Sequence, residues 1–150
     1  MTVRKANLKL GSGVFEGAYS FLSGFEQAPG TNPEELIAAP HAGCFSMALS
    51  FFLEQACFPA SSIRTSAAAH IGMTEAGPTL TRIELSTEAE VEGISEEPFE
   101  RVAETAKAGC LVSRALAAVP AITLTSRLVG AARPLAARRH WSASPNEWRT

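Results

Sequence analysis

Gly30-Thr-Asn-Pro-Glu-Glu-Leu-Ile-Ala-Ala-Pro-His-Ala-Gly-Cys44-Phe-Ser-Met-Ala-Leu-Ser50 is a long, almost uncharged run with one cysteine near its middle. Its start is well specified as a helix. Asn32 can cap the first free backbone N–H groups, Pro33 suits the first helical position because it has no N–H to lose, and Glu34 and Glu35 place negative charge at the positive end of the helix dipole. Asn32 and Glu35 also have capping-box spacing. From Leu36 to Leu53 the helix is apolar on nearly every side, including Cys44, Phe45, Met47, Phe51 and Phe52, and a helix apolar all round is expected to be buried all round. The helix is predicted from Pro33 to about Ala56. Pro40 interrupts it, since a proline leaves the Leu36 carbonyl without its N–H partner at a cost of about 3 kcal/mol. A kink is therefore expected there, opening a fresh helix N-terminus just before Cys44 that lowers its thiol pKa.

Ahead of this helix, Val3, Ala6, Leu8 and Leu10 alternate roughly, and Gly11-Ser-Gly13 separates them from Val14-Phe15-Glu-Gly17 and Tyr19-Ser-Phe21. Two or three short strands joined by glycine turns are predicted, and Gln27-Ala-Pro-Gly30 turns the chain into the helix. Beyond it, Ile63, Thr65, Ala67, Ala69 and Ile71 alternate as a strand, and Glu75-Ala-Gly-Pro78 reads as a turn. From Arg82 to Val91 the alternation is strict. Ile83, Leu85, Thr87, Ala89 and Val91 face one way, and Arg82, Glu84, Ser86, Glu88 and Glu90 the other, which makes an antiparallel hairpin the simplest arrangement. A second helix is predicted from about Glu97 to Ala118, with Phe99, Val102, Ala103, Ala106, Cys110 and Leu111 at spacings of three and four, so that Cys110 lies on or beside the buried stripe. Ile122, Leu124, Ser126 and Leu128 form a last strand. Residues 130–150 read as a basic, flexible C-terminal tail.

A chain of 150 residues with 46% hydrophobic and 19% charged residues has material for one core and is not of a disordered type. The net charge of −2 gives no electrostatic reason to propose nucleic acid or an anionic membrane as partner. That balance is uneven: Arg133, Arg138, Arg139 and Arg149 against Glu147 leave the tail at +3 and the remainder at −5. The first ten residues carry charges and no apolar h-region, so a secretory signal is not expected. The longest apolar run is broken by His41 and Glu54, so no membrane span is predicted and a cytoplasmic location is expected. Three cysteines at spacings of 13 and 53 fit neither a disulfide framework nor a metal clip. Two of them lie on predicted helices and can meet if those helices pack together. Such a pair suits thiol redox chemistry through a sulfenic acid and a disulfide; the alternative is that both cysteines only fill space.

The residues around both cysteines resemble a known family. Gly30 to Ser50, together with Ala106-Lys-Ala-Gly-Cys-Leu-Val-Ser-Arg-Ala-Leu116, is similar to the two cysteine motifs of the OsmC/Ohr family, closest to its osmotically inducible protein C branch. The resemblance covers about residues 7–129. It implies an α+β fold in which bent antiparallel sheets surround two central helices, in an intertwined homodimer with active sites at the subunit interface. It also implies a thiol peroxidase of the oxidative and osmotic stress response, acting on organic hydroperoxides and hydrogen peroxide without a cofactor. By that resemblance Cys44 matches the peroxidatic cysteine, Cys110 the resolving cysteine, and Glu34 the glutamate that orients the family's catalytic arginine. His41 takes the place usual for histidine in this branch. A Cys44–Cys110 disulfide and its reduction by a dithiol, which in relatives is a lipoylated protein, complete the implied cycle.

The chain departs from the pattern. Gly24 stands before Phe25-Glu26 where the arginine is expected, and no arginine lies between Lys5 and Arg64. The family's first strand is expected to be missing, which exposes a sheet edge or weakens the dimer. Leu111 follows the second cysteine where a proline is usual. Cys57 matches no family cysteine and is read as packing. His41 and Cys44, one turn apart, are a weak metal signal without a third ligand; His70 and His140 have no evident partner. Phe45, Phe51 and Phe52 are read as core rather than ligand pocket. The missing arginine motivates a rival reading, an OsmC-fold small-molecule-binding or interaction protein with weakened catalysis.

Overall fold

The computed structural model describes residues 5–10, 12–14, 16–20 and 30–129. Gly24, the Phe25-Glu26 pair and the basic tail lie outside the described residues. Two short strands, β1 (Lys5–Lys9) and β2 (Glu16–Ser20), pair antiparallel in a sheet of their own. Gly13, at φ +74°, takes the left-handed conformation that the turn between them requires.

Helix α1 (Pro33–Gln55) follows. The Asn32 side chain accepts the Glu35 N–H at 2.7 Å, and the Glu35 carboxylate accepts from Thr31 Oγ1 at 2.9 Å, so this end is held as its sequence predicts. The helix runs through Pro40 without a break. No new N-terminus forms before Cys44, because the turns on either side are held by packing and the loss is confined to the bond that Pro40 cannot donate. The expectation of burial all round is also corrected. Ala38, His41, Phe45, Leu49 and Leu53 are buried along one stripe, while Met47 and Phe51 on the other side are 76% and 53% exposed. A single chain offers α1 a sheet and two helices on one side only. By length and composition α1 could cross a membrane, but the same test is passed by core helices, and α1 packs on the sheet and on the helices that follow.

Strands β3 (Ala60–Thr74) and β4 (Gly77–Val91) form the predicted antiparallel hairpin. On β4, Ile83, Leu85, Thr87 and Ala89 are buried and Arg82 and Ser86 exposed, as the alternation requires, but Glu90, expected on the wet face, is buried near the strand's end. The register shifts between His70 and Ile71. Thr81 is the extra residue there, and a Cβ on Gly72 would stand 2.9 Å from its Cγ2, so the bulge needs a glycine opposite. His70, without an evident partner in the sequence, is 3.0 Å from Glu84 Oε2.

The predicted second helix is two. Helix α2 (Glu96–Gly109) ends at Cys110, whose backbone is extended (φ −63°, ψ 126°), and a short helix α3 (Leu111–Ala115) begins directly after it. Phe99, Ala103, Ala106 and Cys110 make the buried stripe. Strand β5 (Ala121–Leu128) then joins β4 in parallel, giving the order β3-β4-β5. The sheet is thus mixed rather than antiparallel throughout, since a helical crossover returns the chain in the direction of β4. The core is one cluster formed by α1, α2 and the inner face of β4. This is an α+β fold with the two cysteine-bearing elements at its centre.

Candidate active site

Cys44 lies at the middle of α1, half-buried, and Cys110 at the junction of α2 and α3, 1% exposed. Both are free thiols packed into the same core cluster, and the Cys44 side chain is among the groups that lower the Cys110 pKa. Phe52 and Gly109 set this approach: the ring lies so near Gly109 that a Cβ there would be 2.9 Å from Cε2. The two helices close on each other at that point, one residue from Cys110.

Burial pushes the Cys110 thiol up, but it is outweighed by hydrogen bonds to the thiolate from the Ser113 N–H, the Cys44 and Ser113 side chains and the Val112 N–H, so the pKa lies below its ordinary value. The Cys110 side chain makes no capping hydrogen bond to α3; groups that lower the pKa of a thiol favour its thiolate. The extended backbone at Cys110 is what makes them available, since a helix continuing through the residue would have used the N–H groups internally.

His41, one turn before Cys44, is fully buried. Its Nε2 is 2.8 Å from Ser113 Oγ, and Nδ1 has no partner. Burial lowers its pKa, so the ring is neutral at physiological pH. Nearer the sheet, Ser46, Thr65 and Thr87 are linked hydroxyl to hydroxyl at 2.8 and 2.9 Å, and Ser46 Oγ also donates to the Ala42 carbonyl. This ladder ties the Cys44 turn of α1 to β3 and β4.

Glu34 is not brought to the thiols. It lies ten residues before Cys44 on the same helix, about 15 Å of rise, and lines an open cleft of about 860 Å³ with Glu35, Ala38, Ala42 and residues 65–69 of β3. Among the described residues no arginine, lysine or histidine forms a salt bridge with it. Cys57 is not packing: it is exposed, at φ +64°, two residues beyond the end of α1 and directly after its cap Ala56. The N–H of Phe58 reaches the Leu53 carbonyl and that of Cys57 the Glu54 carbonyl, the closing pattern that needs a left-handed residue at this position. Phe45 is core as expected, whereas Phe51 is exposed and packs edge-on to Phe52. Sequence reasoning missed Ser113. Its place three residues after Cys110 was the available signal, hidden by the expectation of one continuous helix.

The family model for OsmC-like proteins matches residues 24–125. The chain belongs to the OsmC family. It is 45% identical over 115 residues to Peroxiredoxin OsmC of Escherichia coli strain K12, covering 76% of this chain and 80% of that protein, and matches Peroxiredoxin OsmC of Shigella flexneri equally. Among solved structures, the OsmC organic hydroperoxide resistance protein of Legionella pneumophila superposes with a TM-score of 0.66 at 18% identity, over 85% of this chain and 96% of that one. An organic hydroperoxide resistance protein of Elizabethkingia anophelis gives 0.63 at 24% identity, over 87% and 97%. These likenesses show that the mixed sheet and its helices have the OsmC fold, and the identity to the Escherichia coli protein places the chain in a family of peroxidases.

Proposed function

We propose that this OsmC-family chain is a thiol-dependent peroxidase in which Cys44 is the peroxidatic and Cys110 the resolving cysteine. The observation that carries the reading is the packing of Cys44 against the core cluster that holds Cys110, where α1 meets α2. A Cys44 thiolate attacks one oxygen of an organic hydroperoxide or hydrogen peroxide. The O–O bond breaks, the other oxygen takes a proton and leaves as alcohol or water, and Cys44 becomes a sulfenic acid. The Cys110 thiolate then attacks the Cys44 sulfur, the S–O bond breaks, the oxygen leaves as water with a proton, and a Cys44–Cys110 disulfide forms. A dithiol returns both thiols and is itself oxidised to a disulfide; a lipoylated protein fits that role. Glu34 holds the place of the family's orienting acid, with Gly24 where the arginine it would orient is expected, in a homodimer whose interface includes the exposed Met47–Phe51 side of α1. The protein acts in the cytoplasm.

The test is hydroperoxide consumption with a dithiol reductant. Cys44→Ser abolishes it, and Cys110→Ser leaves one oxidised turnover without recycling. Wild-type consumption no faster than that of a free thiol rejects the enzyme reading.

A second reading is favoured by Gly24 in place of the family arginine and by the absence of a salt-bridge partner for Glu34 among the described residues: a binding or interaction protein with weakened catalysis. Gly24→Arg separates the two. A large gain in rate identifies an enzyme limited by its missing cation, and no gain in a slow wild type favours the binder.

A further inference from the structure

His41 is fully buried, and its Nδ1 has no hydrogen-bond partner. A buried imidazole with half its polar capacity unused is a costly residue to keep in a core. Its other nitrogen is committed to Ser113 Oγ at 2.8 Å, across the packing of α1 on α3 and 72 residues apart in sequence. Ser113 is itself 8% exposed and stands one helical turn after Cys110 in α3, where its backbone and side chain are among the groups that lower the Cys110 pKa. His41, Ser113 and Cys110 are thus buried together where α1 packs on α2 and α3, with half-buried Cys44 packed against the same cluster as Cys110.

Hydrogen-bond direction among these groups is fixed by chemistry. A thiolate at Cys110 accepts, so the Ser113 hydroxyl donates to it, and the serine oxygen is left to accept from His41. The imidazole proton therefore sits on Nε2, and Nδ1 is a bare acceptor. The other tautomer would bury an unpaired N–H and leave the serine proton directed at the imidazole rather than the sulfur. A general-base role for His41, taking the Cys110 proton through Ser113, would create an imidazolium with no exposed surface, which burial opposes.

We propose that His41 and Ser113 form a neutral relay that orients the Cys110 thiolate for its attack on the Cys44 sulfenic acid, so that both are positioning residues for resolution and not for peroxide attack. The proposal rests on the peroxidase reading for what Cys110 attacks, but the relay can be measured without turnover.

Two measurements test it, both in a Cys57→Ser background that removes the exposed thiol. The first is titration of the Cys110 thiolate by ultraviolet absorbance in a Cys44→Ser protein. Ser113→Ala and His41→Leu each raise the midpoint by about one unit, a tenfold fall in the thiolate-to-thiol ratio. The second follows decay of the Cys44 sulfenic acid after one equivalent of hydroperoxide. Both variants lengthen its lifetime about tenfold, by the same ratio, while the preceding oxidation of Cys44 keeps its rate within about twofold. His41→Gln, which retains an amide donor in place of Nε2, recovers most of both effects; a purely structural role for His41 predicts no such rescue. Ser113→Ala is nearly isosteric, so it reports even if His41→Leu folds poorly. An unchanged midpoint and an unchanged lifetime in Ser113→Ala overturn the relay. If wild-type protein forms no Cys44–Cys110 disulfide, the peroxidase reading fails, and the relay is decided by the titration alone.

Discussion

The Phe52 ring of α1 occupies the space that a side chain at Gly109 would need, with Cε2 and Cζ at 2.9 and 3.0 Å from the position of a Cβ. This close approach of α1 to α2 lies at the last residue of α2, one residue before Cys110. Gly109 is needed for this close approach.

Gly109→Ala is therefore destabilising, although alanine is the better helix former by about 1 kcal/mol. Overpacking against a half-buried ring costs about 1–3 kcal/mol, which gives a net loss of about 1 kcal/mol. Denaturant unfolding checks the value. Phe52→Leu in the same chain relieves the clash, so the double mutant is more stable than the sum of the single losses.

Cys57→Gly has the opposite sign. A non-glycine residue at φ +64° costs about 1 kcal/mol, and the residue is exposed. The variant gains about that much in stability, read as a higher midpoint in denaturant, with hydroperoxide consumption unchanged.

Thr87→Val removes a buried hydroxyl that bonds Thr65 at 2.9 Å and lies 3.3 Å from the Arg64 carbonyl. The isosteric change leaves Thr65 short of a partner and costs about 1–2 kcal/mol. Unfolding of Thr87→Val, Thr65→Val and the double mutant measures the coupling between them.

How far the sequence could be read follows from which interactions are local. The cap of α1, from Asn32 to Glu35, and the alternation of β4 depend on residues within a few positions of each other, and both formed as expected except at Glu90, which is buried. The break at Cys110 lies where Phe52 of another helix closes on Gly109, a contact between distant residues, so the periodicity of residues 97–118 runs on through it. Cys57 was misread for a similar reason, because exposure beyond a helix end depends on how the end closes and not on residue type. The pairing of the two thiols was legible only as a possibility of helix packing, and the family motifs made it specific. Ser113 was invisible once Cys110 was placed inside a continuous helix. The parallel entry of β5 depends on the crossover, which strand alternation does not encode.

Stability rises with pH in two windows. His41 in the folded chain has a pKa below 6.5 because it is buried, so below pH 6.5 the unfolded chain takes up a proton that the folded one refuses, and stability is lost as pH falls. Cys110, opposed by burial but held down by its hydrogen bonds, binds its proton more weakly than the unfolded thiol at 9.0. Its contribution is fully present above pH 9.0 and is lost as pH falls through the folded pKa. Urea unfolding of the reduced protein checks both windows, and His41→Gln flattens the acid one.

The central claim is that Cys44 and Cys110 are redox partners. It is tested most directly by peptide mass spectrometry of protein treated with one equivalent of an organic hydroperoxide. The account predicts a single cross-linked peptide joining Cys44 to Cys110, with Cys57 free, and a Cys44 sulfenic acid trapped in Cys110→Ser. Cys44 and Cys110 recovered as unmodified thiols, or a disulfide made through Cys57, would contradict it.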